Sequence, residues 1–402
     1  PGPQNSLGSP ECNTQTDQLD ENVKRMWDLE TIGVVDSKEM QDDFVENIEF
    51  NGNRYSVKLP WRDGHENLPS NYELSLALLK SQVRKLKKEP AMLEEYDSVI
   101  NEQIRSGVIE KVSDEDESVT VHYIPHLAVI RKEAKTTKLR VVYDASAKSN
   151  KSSVSLNECL LKGPSLNPLL FHILLRFREK RTALVGDIEK AFLNVEVNEA
   201  DRNFLRFLWL ENPKDPNSKI VMYRFCRVVF GLNASPFLLN ATLRIHISKY
   251  NLIDPEFVRK LLDSFYVDDL VTGEDDSNEA YKLFGKARER MANAGFRLRK
   301  WLTNDKDLRD KISTIENCSA LNSMSESKHK LTADSDESYA KQTLGIGSKL
   351  NSGHEKVLGL SWDIESDNFI FQFSKLADAA EKVDLTKRNL LSLLASQFDP
   401  IG

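Results

Sequence analysis

The chain has 402 residues, 40% hydrophobic and 29% charged, with 55 Lys and Arg against 62 Asp and Glu and a net charge of -7. That length is too great for one compact core and implies two or three subdomains, while the acidic balance excludes a surface that binds nucleic acid indiscriminately but not a local basic channel. Cys12, Cys159, Cys226 and Cys318 are far apart with no CxxC pair, which excludes a zinc knuckle or a disulfide framework and suits a reduced intracellular setting, and no apolar run reaches the roughly 20 residues of a membrane span.

Residues 1–20 are polar, lack a signal peptide's basic and apolar regions, and are expected to be disordered. The absent initiator Met and the abrupt end at Gly402 suggest a piece of a longer polypeptide. A short amphipathic helix is predicted over Val23–Leu29, then a strand pair, Ile48–Phe50 and Tyr55–Val57, turned by Asn51-Gly52. Tyr72, Leu76, Leu79, Val83 and Leu86 recur at helical spacing, as do Leu93, Tyr96, Ile100 and Ile104, with Pro90 between the two helices and Gly107 as a stop. Strands are predicted at Val108–Val112, His122–Ile130 and Lys138–Tyr143, the last two joined by a basic loop. A helix over Leu169–Arg178 precedes a strand, Thr182–Val185, that leads into Asp187. The strand Tyr223–Phe230 precedes Gly231 and a helix after Pro236, and residues 277–294 read as a helix ended by Gly295. Residues 304–352, rich in Ser, Asn, Asp, Lys and Glu, read as a flexible insertion holding at most one short helix. A strand over Lys356–Trp362, another at Phe369–Phe373 and a helix through Leu390–Phe398 complete the chain.

Chemistry concentrates at two places. In Phe265-Tyr266-Val267-Asp268-Asp269-Leu270-Val271, two apolar β runs flank two acids. Asp-Asp is a poor hairpin sequence and its like charges repel, so the breach of local rules marks a site. In Ala183-Leu184-Val185-Gly186-Asp187, an apolar run closes on a third carboxylate, with Phe192 five residues later. Alone, either would be a solvated acidic turn or a helix cap. Together they offer the hard oxygen donors that magnesium needs for phosphoryl transfer.

Tyr266-Val267-Asp268-Asp269 resembles the reverse-transcriptase YxDD box, and Asp187 with Phe192 resembles the polymerase palm motif preceding it. The wider text is similar to the Pao/BEL class of LTR retrotransposon polyproteins: Val57–Trp61, Leu139–Lys148, Leu156-Asn157, Phe230–Ala241 and Phe398–Gly402, in order, from about residue 25 to the end but without 304–352. The resemblance implies an α+β right-hand polymerase fold of fingers, palm and partial thumb with an antiparallel palm sheet. Its divisions are a leader (1–20), an N-terminal extension with the helical part of the fingers (21–112), fingers and palm (113–303), the insertion (304–352), and a primer-grip hairpin with the start of a thumb (353–402).

It further implies RNA-directed DNA polymerase activity on an RNA or DNA template-primer, with dNTP as substrate and two Mg²⁺ ions, or Mn²⁺, held by Asp187, Asp268 and Asp269. Phe192 would lie beneath the incoming sugar and exclude a 2′-OH. Gly231 would let the backbone approach the nucleotide. From Arg131 to Lys151 there are seven Lys and Arg against Glu133 and Asp144, and Arg140 with Arg131 or Lys132 would hold the triphosphate. Phe230 stands where retroviral enzymes carry Gln, which removes a polar contact there. Tyr266, Gly359 and Trp362 would lie along primer and template, and Arg297, Arg299 and Lys300 would meet primer phosphates or stay solvated. No membrane partner is implied. Protease, RNase H and integrase domains would flank the chain in a cytoplasmic particle or the nucleus. The competing class is a non-catalytic nucleic-acid-binding remnant of such an element, and the complete acidic set argues against it. An aspartic protease is excluded because Asp36-Ser37-Lys38 and Asp144-Ala145-Ser146 lack the Asp-Ser/Thr-Gly pattern.

Overall fold

A computed structural model describes residues 44, 47–65, 68–112, 120–130, 139–326, 354–371, 373–384 and 386–396. The leader, the helix expected at Val23–Leu29, the basic loop with Arg131 and Lys132, and the insertion beyond 326 lie outside these residues.

Strands β1 (Glu49–Phe50) and β2 (Tyr55–Val57) pair with Phe50 opposite Tyr55. The turn expected at Asn51-Gly52 is a four-residue loop, tied by the Asn51 side chain accepting from the Asn53 and Arg54 amides at 3.1 and 2.8 Å. Helices α1 (Tyr72–Leu86) and α2 (Pro90–Arg105) bury the predicted stripes, Leu79, Val83 and Leu86 on one and Leu93, Tyr96 and Ile100 on the other. Gly107, at φ +65°, turns the chain into β3 (Ile109–Lys111). Strands β4 (His126–Ile130) and β5 (Leu139–Tyr143) form a separate ribbon. The first strand starts four residues later than expected because His122 and Tyr123 instead hydrogen-bond through their amides to Asn203 and Ser70.

Ser155 and Glu158 make a capping box on the short helix α3 (Leu156–Cys159), and α4 (Leu170–Glu179) follows. Every residue of β6 (Thr182–Ile188) is buried, so the strand runs through Asp187 rather than ending before it. After β7 (Glu196–Val197) comes β8 (Arg206–Leu210), also buried throughout, and then β9 (Ile220–Phe225). Helix α5 (Ser235–Ser248) is buried on nearly all sides, and α6 (Pro255–Ser264) is capped by Asp254 with Pro255 in its first turn. The hairpin β10 (Phe265–Tyr266) and β11 (Asp269–Glu274) leads to α7 (Ser277–Ala292) and β12 (Leu298–Leu302).

The insertion departs from its expected character. Residues Lys306–Glu326 form α8, a 21-residue helix anchored by buried Leu308 and Ile312 and started by Asp305, whose carboxylate accepts from the Leu308 amide at 2.8 Å. Residues 356–362, read as a strand from composition and as a hairpin from the resemblance, form a hairpin, β13 (His354–Val357) and β14 (Leu360–Asp363), because Leu358 and Gly359 both take positive φ, +44° and +97°, and turn it. Strand β15 (Asn368–Ile370) and helices α9 (Ser374–Ala380) and α10 (Lys387–Ser396) follow.

The chain is thus mixed α+β, with small sheets whose pairs are antiparallel except β2 with β7. The central sheet has the order β10-β11-β6-β12. One apolar core extends from Phe44 to Ile312. A second lies under the β13–β15 sheet, where Ile173 and Phe177 of α4 meet Val185, Val271, Leu360 and Trp362. Each fully buried large side chain in these cores contributes about 1.5–3 kcal/mol. No described helix is long and apolar enough to cross a membrane.

Candidate active site

Strand β6 is the axis of the site. Its register places Asp187 directly opposite Asp269 on β11, while Arg299 of β12 lies opposite Asp187 on the other side. Partners across an antiparallel pair face the same way, so Asp269, Asp187 and Arg299 form one rung across three strands. Asp268 immediately precedes this rung, and its carbonyl accepts from the Ile188 amide at 2.9 Å, holding the hairpin tip against the end of β6. The three carboxylate residues are only 4–5% exposed.

The tip differs from expectation by one residue. Tyr266 pairs with Asp269, so the two turn residues are Val267 and Asp268, and Asp269 already belongs to β11. Val267 has φ +57°, a conformation that costs a β-branched residue about 1–3 kcal/mol. Its amide donates to the Asn167 side chain at 3.0 Å.

Beside the rung, β12 carries a bulge between Arg299 and Leu302. Trp301 lays its indole over Gly186, where an added Cβ would come within 3.2 Å of the ring. Lys300, at φ +52°, is turned toward Asp187, and its Nζ lies 3.6 Å from Asp187 Oδ2. Arg299 Nε lies 3.6 Å from Asp187 Oδ1, and its Nη1 donates to Glu189 Oε1 at 3.0 Å. Arg297 reaches the other Glu189 oxygen at 3.5 Å. From α8, Glu316 shares this field: burial pushes its carboxyl up and Asp187 adds to that, while Arg288, Arg297 and Arg299 pull it down. A cavity of about 340 Å³ opens against Asp187 and Asp269, walled by Lys300, Trp301, Lys356 and Leu358.

Like charges directly opposite one another on a sheet destabilise it, so buried Asp187 and Asp269 call for cations. Their oxygens are hard donors, and Mg²⁺ takes one or two protein carboxylates and completes its shell with water and substrate phosphate. Among the described residues no group of three or more His, Cys, Asp or Glu side chains is placed to hold a metal ion. Any magnesium here would rest on the oxygen chemistry of Asp187 and Asp269, with water and phosphate completing its shell.

The other expected site residues are distributed as follows. Arg140 stands on β5 opposite Val129, in the separate β4–β5 ribbon. Phe192 is fully buried, its ring 4.6 Å from that of Phe230 and edge-on to it. Gly231, at φ +107°, is required by a neighbour other than the one expected: an added Cβ would lie 2.5 Å from the Tyr143 carbonyl oxygen. Tyr266 is half-buried opposite Asp269, and Gly359 forms the turn of the β13–β14 hairpin. Trp362 is fully buried against Phe177, ring centroids 5.2 Å apart, and its indole N–H donates to Asp367 at 2.9 Å, which anchors the hairpin. Arg299 is 13% exposed and faces Glu189 and Asp187. His122 and His126 are buried packing groups. Glu189 was missed; it lies in the turn just after β6, where it takes Arg299 and Arg297.

Fold and site together define a mixed α+β protein with an open acidic rung at the tip of a β hairpin. No protein-family model matches the chain, and a search of curated proteins finds no match either.

Proposed function

We propose that the chain is the polymerase part of a reverse transcriptase, an RNA-directed DNA polymerase that joins a dNTP to a primer 3′-OH on an RNA or DNA template. The observation that carries this reading is the direct pairing of Asp269 with Asp187, with Asp268 at the adjoining tip. Asp187 and the Asp268-Asp269 pair, distant in sequence, are brought together on a central antiparallel sheet, which agrees with the palm of a right-hand polymerase. The two apolar-flanked helices α1 and α2 with the β4–β5 ribbon correspond to fingers, and the β13–β15 sheet to a primer grip that leads into a thumb.

In this reading Asp187, Asp268 and Asp269 would hold two magnesium ions, which would supply charge stabilisation for the attacking and leaving oxygens. The chain's own work is positioning. The hydrogen bond from Ile188 to Asp268 and the β6–β11 register fix the carboxylates before substrate arrives. Lys300 beside the cavity offers a proton-bearing cation at its mouth. Arg140 supplies a guanidinium for the triphosphate.

The test is primer extension on an RNA template. Wild type should extend only with Mg²⁺ or Mn²⁺. Asp268→Asn should lower the rate at least 1,000-fold, about 4 kcal/mol of barrier, with folding and template affinity near wild type. Equal incorporation by the two proteins would end the polymerase assignment. Template binding without extension by wild type would favour the non-catalytic remnant.

A further inference from the structure

We infer that Arg299 is a positioning residue, a built-in counter-charge that lets the buried carboxylates share one face before any divalent cation arrives and that weakens the pull of that face on free Mg²⁺. The inference deepens the polymerase reading and rests on it for the identity of the cation. The solvated or primer-binding role that Arg299 would otherwise have does not suit its surroundings. Its side chain is 13% exposed, and it stands in register with Asp187, which is in register with Asp269. Glu189 takes the outer nitrogen at 3.0 Å, which leaves Nε directed at Asp187 Oδ1, 3.6 Å away. A guanidinium is a rigid planar fork, so gripping one arm sets the other. Lys300 faces the second Asp187 oxygen at 3.6 Å and is more exposed, at 42%. Helix α8 adds Glu316, whose carboxyl feels both Asp187 and Arg299. Arg299 therefore sits among acids from β6, the turn after it and α8, with Lys300 beside it on β12, Arg297 just before that strand and Arg288 contributing from α7. A phosphate would have to displace carboxylates already in place.

Positive charge at this distance repels an incoming Mg²⁺ as surely as it steadies Asp187. Removing it has two opposite effects, which a merely structural side chain would not produce together. The variants are Arg299→Gln, which keeps length and an N–H for Glu189, Arg299→Met, which keeps the stem alone, and Arg299→Lys, which keeps the charge. In chelator, Arg299→Gln should melt about 2–4 °C below wild type. Mg²⁺ alone, titrated by calorimetry without nucleotide, should then bind about 3–10-fold tighter than to wild type, a range set by one unit charge at partly screened distance. Arg299→Met should behave as Arg299→Gln does, and Arg299→Lys should stay within about twofold of wild type. Adding Asp187→Asn to Arg299→Gln should return the melting point in chelator toward that of Asp187→Asn alone, the mark of direct coupling. Where wild type binds Mg²⁺, unchanged or weaker binding by both charge-removing variants would overturn the inference, and so would additive melting shifts with Asp187→Asn in any case. The cycle in chelator is independent of catalysis. Coupling there, in a wild type that binds no Mg²⁺, would keep the counter-charge and remove the polymerase reading instead.

Discussion

Val267 holds the most informative backbone angle in the molecule. A buried β-branched residue at φ +57° is tolerated only where its surroundings over-determine it. Here the Asn167 side chain fixes its amide and the Tyr266–Asp269 pair closes the tip. The strained turn brings the Asp268 carbonyl onto the Ile188 amide and Asp269 into register with Asp187. Phe192 raises a different question at this scale. The ring is fully buried against Phe230 in the free chain, so a sugar gate acts through its edge or after local rearrangement. Phe192→Leu keeps most of the volume but removes the plane. The expected outcome is ribonucleotide incorporation raised at least tenfold with dNTP incorporation within about threefold, since one lost steric contact is worth about 1–3 kcal/mol. Unchanged sugar selectivity would take the gate role from Phe192.

Elements explain what could be read from the sequence. The acidic tip was legible because two apolar runs break at charge, and α1 and α2 were legible because Leu79, Val83 and Leu86, like Leu93, Tyr96 and Ile100, keep helical spacing. Strand β8 went unread: all five of its residues are buried, and a strand covered on both faces shows no alternation. Helix α6 went unread despite its Asp254-Pro255 start, a cap signal that the search for periodicity passed over. Helix α8 was hidden by its polar composition, since Leu308 and Ile312 are its only fully buried anchors among the residues whose burial is described. The role of Arg299 and the packing of Gly231 depend on register and on a neighbour 88 positions away in the chain, Tyr143, which local pattern does not encode.

Strand β4 makes a prediction of its own. His126 is buried, its Nε2 donates to the Leu208 carbonyl at 2.7 Å, and its Nδ1 therefore accepts from the Tyr96 hydroxyl as a neutral ring. Burial lowers its pKa to about 4 against an ordinary 6.5. The neutral ring is favoured only in the folded chain, so its stabilisation is complete above pH 6.5 and is lost as pH falls toward 4. This amounts to about 3 kcal/mol. Urea unfolding at pH 7 and pH 4.5 should show that loss in wild type and a distinctly smaller loss in His126→Gln. Equal losses would mean that His126 does not set the acid limit.

At the scale of the molecule, the β13–β15 sheet is a separately cored piece docked on the face that bears the acidic rung. Its links include Trp362 and Phe369 against Phe177, Asp367 accepting from Arg178, Arg309 on Glu365, and a core shared with Val185 and Val271. Trp362→Ala should cost this unit about 3–5 kcal/mol. Amide exchange should quicken over His354–Ile370 and α4 while β6 and β11 keep their protection. Uniform quickening would show that the hairpin and central sheet unfold as one.

The divisions at residues 112 and 113 are not boundaries in space. Strand β3 pairs with β9, and β2 lies parallel to β7, with the Leu59 amide and Trp61 indole both donating to Asp201 at 2.7 and 2.8 Å. The segment around Tyr55–Trp61 thus finds its mate some 140 positions downstream. On a ribosome that segment must wait, with Tyr55, Val57 and Leu59 bare, until residues 196–201 have left the exit tunnel, which at about 5–20 residues per second takes roughly 7–28 s. This strand is made well before the partner that settles it.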